Sequence, residues 1–312
     1  DLNKRSLPWR KKVSFNRKQY YTLISEFMLQ QTQVSTVIPF FNRFIKNLPS
    51  INSLAKVSEK KLIKLWEGLG YYSRARNLKK SAQVILKNFD GKLPDDFEDL
   101  ITLPGIGNYT ANAILAIAFN KPYIPLDGNI ERVLKRYLYL KKDKEIQKDY
   151  LLQKKIVFGK TLRSSDYAQA LMELGALICK PNNPICAQCP IIKNCKSYKK
   201  KDFSLIKNIK KNKDKYFVLK VYKKNQRYLL IKNKKFNFLK NLTIFPMEEL
   251  SSPKNFNKNL NFKMSNMNMN IKIEYSNDNK KFPYSYWVDG TKMNSYMLPS
   301  FTKKIVKYLE KN

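Results

Sequence analysis

The 312-residue chain is 43% hydrophobic and carries 61 lysines and arginines against 24 aspartates and glutamates, a formal net charge of +37. It contains no histidine, which excludes Ser-His-Asp triads, Cys-His pairs and histidine-ligated zinc, and leaves proton transfer to Asp, Glu, Lys, Tyr or Cys. The length allows two domains, and no run approaches the roughly 18 apolar residues that a membrane span requires.

The charge favours a polyanionic partner. Composition supplies a competing source, because lysine outnumbers arginine 51 to 10 and there are 31 asparagines, the mark of a codon bias toward Lys and Asn. Residues 1–195 hold +17 and residues 196–312 hold +20, so the charge singles out neither half. Asp1–Arg5 is not followed by an apolar stretch, so no secretion signal is expected and a cytoplasmic, nucleoid-associated location is.

In chain order, residues 1–20 are basic and include Leu7-Pro8-Trp9-Arg10. From Tyr20 to Phe44 apolar residues recur at helical spacing, with Pro39 expected to kink the helix or divide it. Leu54–Leu65 is a further helical pattern whose second half can start at Ser58. Glu67–Tyr72 reads as a turn, Arg74–Phe89 as an amphipathic helix ended by Asp90-Gly91, and Asp95–Ile101 as a short helix. The Ala- and Ile-rich Tyr109–Phe119 reads as a buried helix. Ile130–Tyr139, Ile146–Phe158 and Tyr167–Leu177 complete an all-α unit. Beyond a basic linker at 199–215 the pattern turns β-like at Tyr216–Tyr222, Tyr228–Lys232, Leu242–Phe245, Ile271–Tyr275 and Tyr284–Val288. The Asn-rich Asn255–Asn270 is expected to be a loop and Pro299–Leu309 a closing helix. The boundaries are therefore 1–198, 199–215 and 216–312, the last α+β.

Three stretches carry chemistry. Glu26 is a carboxylate inside the apolar pattern of the first helix. Leu103-Pro104-Gly105-Ile106-Gly107 opens a helix with a Gly-rich turn, whose N–H groups can meet a phosphate oxygen, and Leu126-Asp127-Gly128-Asn129 adds a second carboxylate. Cys179, Cys186, Cys189 and Cys195 fall within 17 residues at the spacing C-x6-C-x2-C-x5-C. Four thiolates suit a [4Fe–4S] cluster or zinc equally. Each feature has a plainer reading: a solvated helix face for Glu26, a helix connection for the Gly-rich turn, core packing for the cysteines.

Taken together, Leu7–Arg10, Met28–Gln33, Gly68–Leu78, the Leu103–Ala111 hairpin, Leu126–Asn129 and the cysteine spacing closely resemble the adenine-specific mismatch DNA glycosylases, the MutY type of the endonuclease III superfamily. The resemblance implies an all-α helix-hairpin-helix glycosylase domain with an iron–sulfur loop, followed by a smaller α+β Nudix-like domain. It implies a monomer that binds double-stranded DNA carrying adenine opposite 8-oxoguanine or guanine, flips the adenine out and hydrolyses its glycosidic bond. Glu26 takes the place of the acid that protonates the purine, Asp127 that of the carboxylate facing the cationic sugar, with Asn129 beside it. Tyr109 stands where strand-cutting relatives carry a Schiff-base lysine, which implies a monofunctional enzyme. Gln30 and Tyr71 match positions beside the mismatch, Gly105 and Gly107 the DNA-binding hairpin, and Arg10 and Gln169 the surroundings of the extruded base. The superfamily's cysteine spacing favours [4Fe–4S] on Cys179, Cys186, Cys189 and Cys195. In the C-terminal unit Ser265 matches a loop that contacts 8-oxoguanine, but the histidine that follows it in the family is absent. An endonuclease III-like lyase for oxidised pyrimidines and a non-catalytic iron–sulfur DNA-binding module are the alternatives.

Overall fold

A computed structural model describes residues 5–140, 162–204, 212–251, 256–264, 267–277, 282–296 and 298–311. The chain divides into two compact units, one of Asp1–Leu65 and Ser73–Asn208, the other of Trp66–Tyr72 and Ile209–Asn312.

The described part of the first unit is helical. A 3-10 turn at Pro8–Arg10 precedes α1 (Phe15–Leu29), α2 (Val34–Asn47), α3 (Ile51–Lys56), α4 (Glu59–Trp66), α5 (Tyr72–Asn88), α6 (Phe97–Thr102), α7 (Asn108–Ile117), α8 (Gly128–Leu138), α9 (Ser164–Glu173) and α10 (Lys196–Lys199). Caps mark several starts: Ser50 accepts from the Ser53 N–H, Ser58 from the Lys61 N–H and Asp96 from the Glu98 N–H, each satisfying a donor that the first helical turn leaves open. α1 buries Leu23, Ile24, Phe27 and Met28 completely, and α7 is buried from Thr110 to Ala116.

The helical pattern of residues 20–44 divides at Gln30–Gln33, not at the expected Pro39, which lies inside α2. The break is made by Gln31, in the left-handed region at φ 55°, and by Arg74 of α5. Its Nη1 donates to the carbonyls of Phe27 (3.1 Å), Met28 (2.7 Å) and Gln30, so one guanidinium satisfies the carbonyls that the helix end leaves open. The helix expected at Ile146–Phe158 lies outside the described residues.

The second unit contains two sheets. In one the order is β5 (Met247–Leu250), β1 (Lys213–Val221), β7 (Met267–Tyr275), β6 (Leu260–Met264), with β1 and β7 parallel. In the other β3 (Arg227–Lys232) pairs with β2 (Lys223–Lys224), β4 (Thr243–Ile244) and β8 (Ser285–Asp289). α11 (Ser300–Leu309) packs Phe301, Ile305 and Val306 into a core with Phe217, Leu219, Leu230 and Ile271. The Asn-rich stretch expected to be a loop instead supplies β6 and the start of β7, paired from Leu260↔Ile271 to Met264↔Met267. Its side-chain amides bond across strands: Asn261 Nδ2 donates to Asn270 Oδ1 at 3.1 Å and Asn268 Nδ2 to Asp214 Oδ1 at 2.8 Å. Strand pairing here overrides a composition that is depleted in ordinary strands.

The turn before α7 is fixed by close packing. Gly105 adopts φ +84°, and an added Cβ would stand 2.8 Å from Asn77 Cβ and 2.9 Å from Phe27 Cε1. Gly107 has open space around it. Gly105→Ala is therefore expected to lower unfolding free energy by about 1–3 kcal/mol, against less than about 1 kcal/mol for Gly107→Ala, as measured by urea denaturation.

Candidate active site

α1, α7 and α8 bring two carboxyls and a phenol to one cleft. The cleft, about 670 Å³ in volume, is lined by Glu26, Tyr109, Asp127, Asn129, Gln169 and Arg10 among others. These are six of the residues singled out in the sequence, drawn from segments more than 150 positions apart.

Glu26 lies in the most buried stretch of α1 and is 4% exposed. The Tyr109 hydroxyl donates a hydrogen bond to it, while its Oε2 is buried with no partner among the described residues. Loss of solvent pushes its carboxyl up to about 7; the Tyr109 hydrogen bond and the Arg10 charge act downward, the Asp127 charge upward. Desolvation prevails because it penalises only the charged form. Burial, together with the charges of Glu26 and Asp127, holds the Tyr109 hydroxyl well above its ordinary range, so it remains a neutral donor.

Asp127 has the opposite surroundings. It caps α8: Oδ1 accepts from the Asn129 N–H (2.9 Å) and the Ile130 N–H (2.7 Å), and Oδ2 accepts from Asn129 Nδ2 (3.0 Å). Three donors at the start of α8 fix the position of both its oxygens. Asn129 is held in turn by Arg132, whose Nη2 donates to Asn129 Oδ1 (2.8 Å) and the Gly175 carbonyl (2.7 Å) and whose Nε donates to the Cys179 carbonyl (2.7 Å). Gly175, in the π-turn Leu174–Ile178 after α9, lies so close that an added Cβ would be 2.7 Å from Asn129 Cβ.

The remaining sequence candidates fall elsewhere. The Gln30 amide donates to the Gly105 carbonyl (3.4 Å) and to Thr110 Oγ1 (3.3 Å), which ties the end of α1 to the Gly-rich turn. Gly107 precedes α7 as its N-cap. Tyr71, at φ 47° and 38% exposed, groups with the second unit. Ser265 lies outside the described residues.

Cys179, Cys186, Cys189 and Cys195 line a separate small cavity of about 30 Å³ with apolar neighbours such as Val133, Leu174 and Ile191. Arg136 secures this loop, donating to the Lys180 carbonyl (2.7 Å), the Pro181 carbonyl (2.8 Å) and Cys179 Sγ (3.5 Å). Burial pushes the Cys186 and Cys189 thiols up, and the neighbouring cysteines add to it. Bound iron or zinc would reverse that penalty. Four soft donors around a common cavity fit a metal group, and among the described residues no three His, Cys, Asp or Glu side chains converge tightly enough for a single ion.

The sequence reading passed over Arg74, Arg132, Arg136, Glu173 and Gly175. A usable signal was present for three of them. Where lysine is five times commoner, an arginine inside a helix marks a place needing a planar fork of donors that lysine cannot supply.

A profile described as "HhH-GPD superfamily base excision DNA repair protein" matches residues 24–156. Adenine DNA glycosylase of Buchnera aphidicola subsp. Baizongia pistaciae is 42% identical over 253 residues, spanning 78% of this chain and 70% of the relative. The human adenine DNA glycosylase is 39% identical over 206 residues, 63% of this chain and 37% of its own. Among solved structures, a thermostable thymine-DNA glycosylase superposes with a TM-score of 0.56 at 29% identity, covering 64% of this chain and 90% of that one. A non-covalent endonuclease III–DNA complex superposes with a TM-score of 0.50 at 25% identity, covering 59% and 85%.

The raised Glu26 carboxyl makes stability pH-dependent. Its folded value of about 7 exceeds the ordinary 4.5, so the folded state binds the proton more tightly. Stability measured against Glu26→Gln is expected to be fully present below about pH 4.5 and to fall as pH rises through 7, as read by thermal unfolding across pH 4–9. A flat difference would contradict the assigned environment.

Proposed function

The chain belongs to the adenine DNA glycosylases, the MutY type of the endonuclease III superfamily, and we propose that it excises adenine paired with 8-oxoguanine or guanine and leaves an abasic site. The observation that carries this reading is the meeting of Glu26, Tyr109 and Asp127 in one cleft, with two carboxyls in contrasting surroundings. Environments that separate two carboxyls mark one as acid and the other as charge stabiliser.

Adenine in a duplex is stacked, so it enters the cleft only when flipped out. Glu26, protonated near neutral pH, gives its proton to a ring nitrogen as the C1′–N9 bond breaks, and adenine leaves neutral. The sugar then carries positive charge, which the Asp127 carboxylate faces. Water adds its oxygen to C1′, and the proton it loses returns to Glu26, restoring the acid. Tyr109 orients the Glu26 carboxyl. As a phenol it forms no imine with the sugar, which supports hydrolysis without strand cleavage.

Cys179, Cys186, Cys189 and Cys195 would hold a [4Fe–4S] cluster. When bound, the cluster would fasten the loop after α9 through its cysteine ligands. What supports this reading is the superfamily's cysteine spacing, together with the small cavity that the four cysteines line in common. We read the second unit as a Nudix-like module that reads the base opposite adenine, with Ser265 in the contact loop. The histidine that follows the serine in the family is absent from this sequence, so any discrimination of 8-oxoguanine from guanine must do without it.

The test is single-turnover excision from duplexes with adenine opposite 8-oxoguanine, adenine opposite guanine, and thymine glycol opposite adenine, each with and without alkali. Adenine release with breaks only after alkali is expected. Glu26→Gln is expected to slow release by about 10²–10⁴-fold with DNA affinity largely retained. Breaks at thymine glycol without alkali would overturn the reading in favour of a lyase.

A further inference from the structure

The N-terminal stretch is bound to the cleft by one carboxylate. Arg5, Leu7, Trp9 and Arg10 all line it. The middle of the stretch is anchored apolarly: Leu7 is 6% exposed, and Trp9 meets the Phe41 ring edge-on at 5.3 Å. Its two guanidinium groups converge on Glu173, in the last turn of α9. Arg5 makes a two-pronged contact, Nε to Oε2 at 2.6 Å and Nη2 to Oε1 at 2.9 Å. Arg10 Nη1 stands 2.8 Å from the same Oε1, an ion pair without hydrogen-bond geometry. The Glu173 and Arg10 side chains are only 12% and 11% exposed, so solvent screens the pair less than it would a surface pair.

We propose that Glu173 is a positioning residue that latches residues 5–13 along one wall of the cleft and holds the Arg10 guanidinium toward the extruded purine. A guanidinium donates only, so it suits ring-nitrogen acceptors on a purine edge. Glu173 fixes which way Arg10 points and offsets the one guanidinium whose charge reaches Glu26. Without that carboxylate, Arg5 and Arg10 face each other as like charges, and the segment keeps its apolar anchors at Leu7 and Trp9. The Arg10 charge already acts on Glu26. Removing the compensating anion leaves Glu26 easier to ionise, so less of it is protonated at a given pH.

The kinetic part of the test rests on the adenine-excision reading; the structural part does not. The full chain is compared with Glu173→Gln, Glu173→Asp and Arg5→Gln. Tryptic cleavage after the exposed Lys11 and Lys12 is expected to quicken at least fivefold in Glu173→Gln, less in Arg5→Gln, and little in Glu173→Asp. For adenine opposite 8-oxoguanine, Glu173→Gln is expected to raise KM about tenfold, to change kcat less, and to move the basic limb of the pH profile to lower pH. Glu173→Asp should restore both. Wild-type cleavage rates in Glu173→Gln would overturn the latch. Equal impairment of the Gln and Asp variants with an unmoved pH limb would reduce Glu173 to a packing role. A wild type that releases no adenine would sink the substrate reading, while the cleavage rates would still decide the latch.

Discussion

A carboxyl group in the buried last turns of α1, with one oxygen unpartnered among the described residues, is the constraint to which the first unit is fitted. Burying Glu26 costs stability whenever it ionises. The offset comes from other elements. Tyr109 reaches Glu26 only because α7 starts where it does, and α7 starts there because Gly105 lets the turn press against Phe27, the next residue of α1. Arg74 ends the same helix within one turn of Glu26. The acid, its hydrogen-bond donor and its helix terminus are therefore one packing arrangement.

The second carboxyl shows the complementary solution. Asp127 is wrapped in donors, and the chain of contacts continues from Asn129 through Arg132 to the backbone of Gly175 and Cys179. The cysteine loop and the Asp127–Asn129 turn thus share a single guanidinium. Lysine could not replace it, since three acceptors in different directions need a rigid fork. In a chain where lysine outnumbers arginine 51 to 10, arginine stands at such positions.

Much of this was legible in the sequence for reasons that are themselves physical. Helical spacing exposed the buried faces of α1, α5 and α7, and short motifs marked Glu26, Asp127 and the cysteines. Long-range contacts were not legible. The end of α1 depends on Arg74, 44 residues away, which no local pattern announces, so Pro39 drew the break instead. The β6–β7 hairpin was hidden because asparagine normally signals a loop, whereas here paired amides and the parallel partner β1 hold the strands. Glu173 was overlooked because its partners lie some 165 positions earlier in the chain.

The most direct test of the central claim is the titration of Glu26 itself, followed by carbon-13 NMR of side-chain carboxyls in the free protein. One glutamate resonance that titrates near 7, and that is missing from the spectrum of Glu26→Gln, is the expected result. If every glutamate titrates near 4.5, Glu26 is solvated, and the acid on which the account depends is not there.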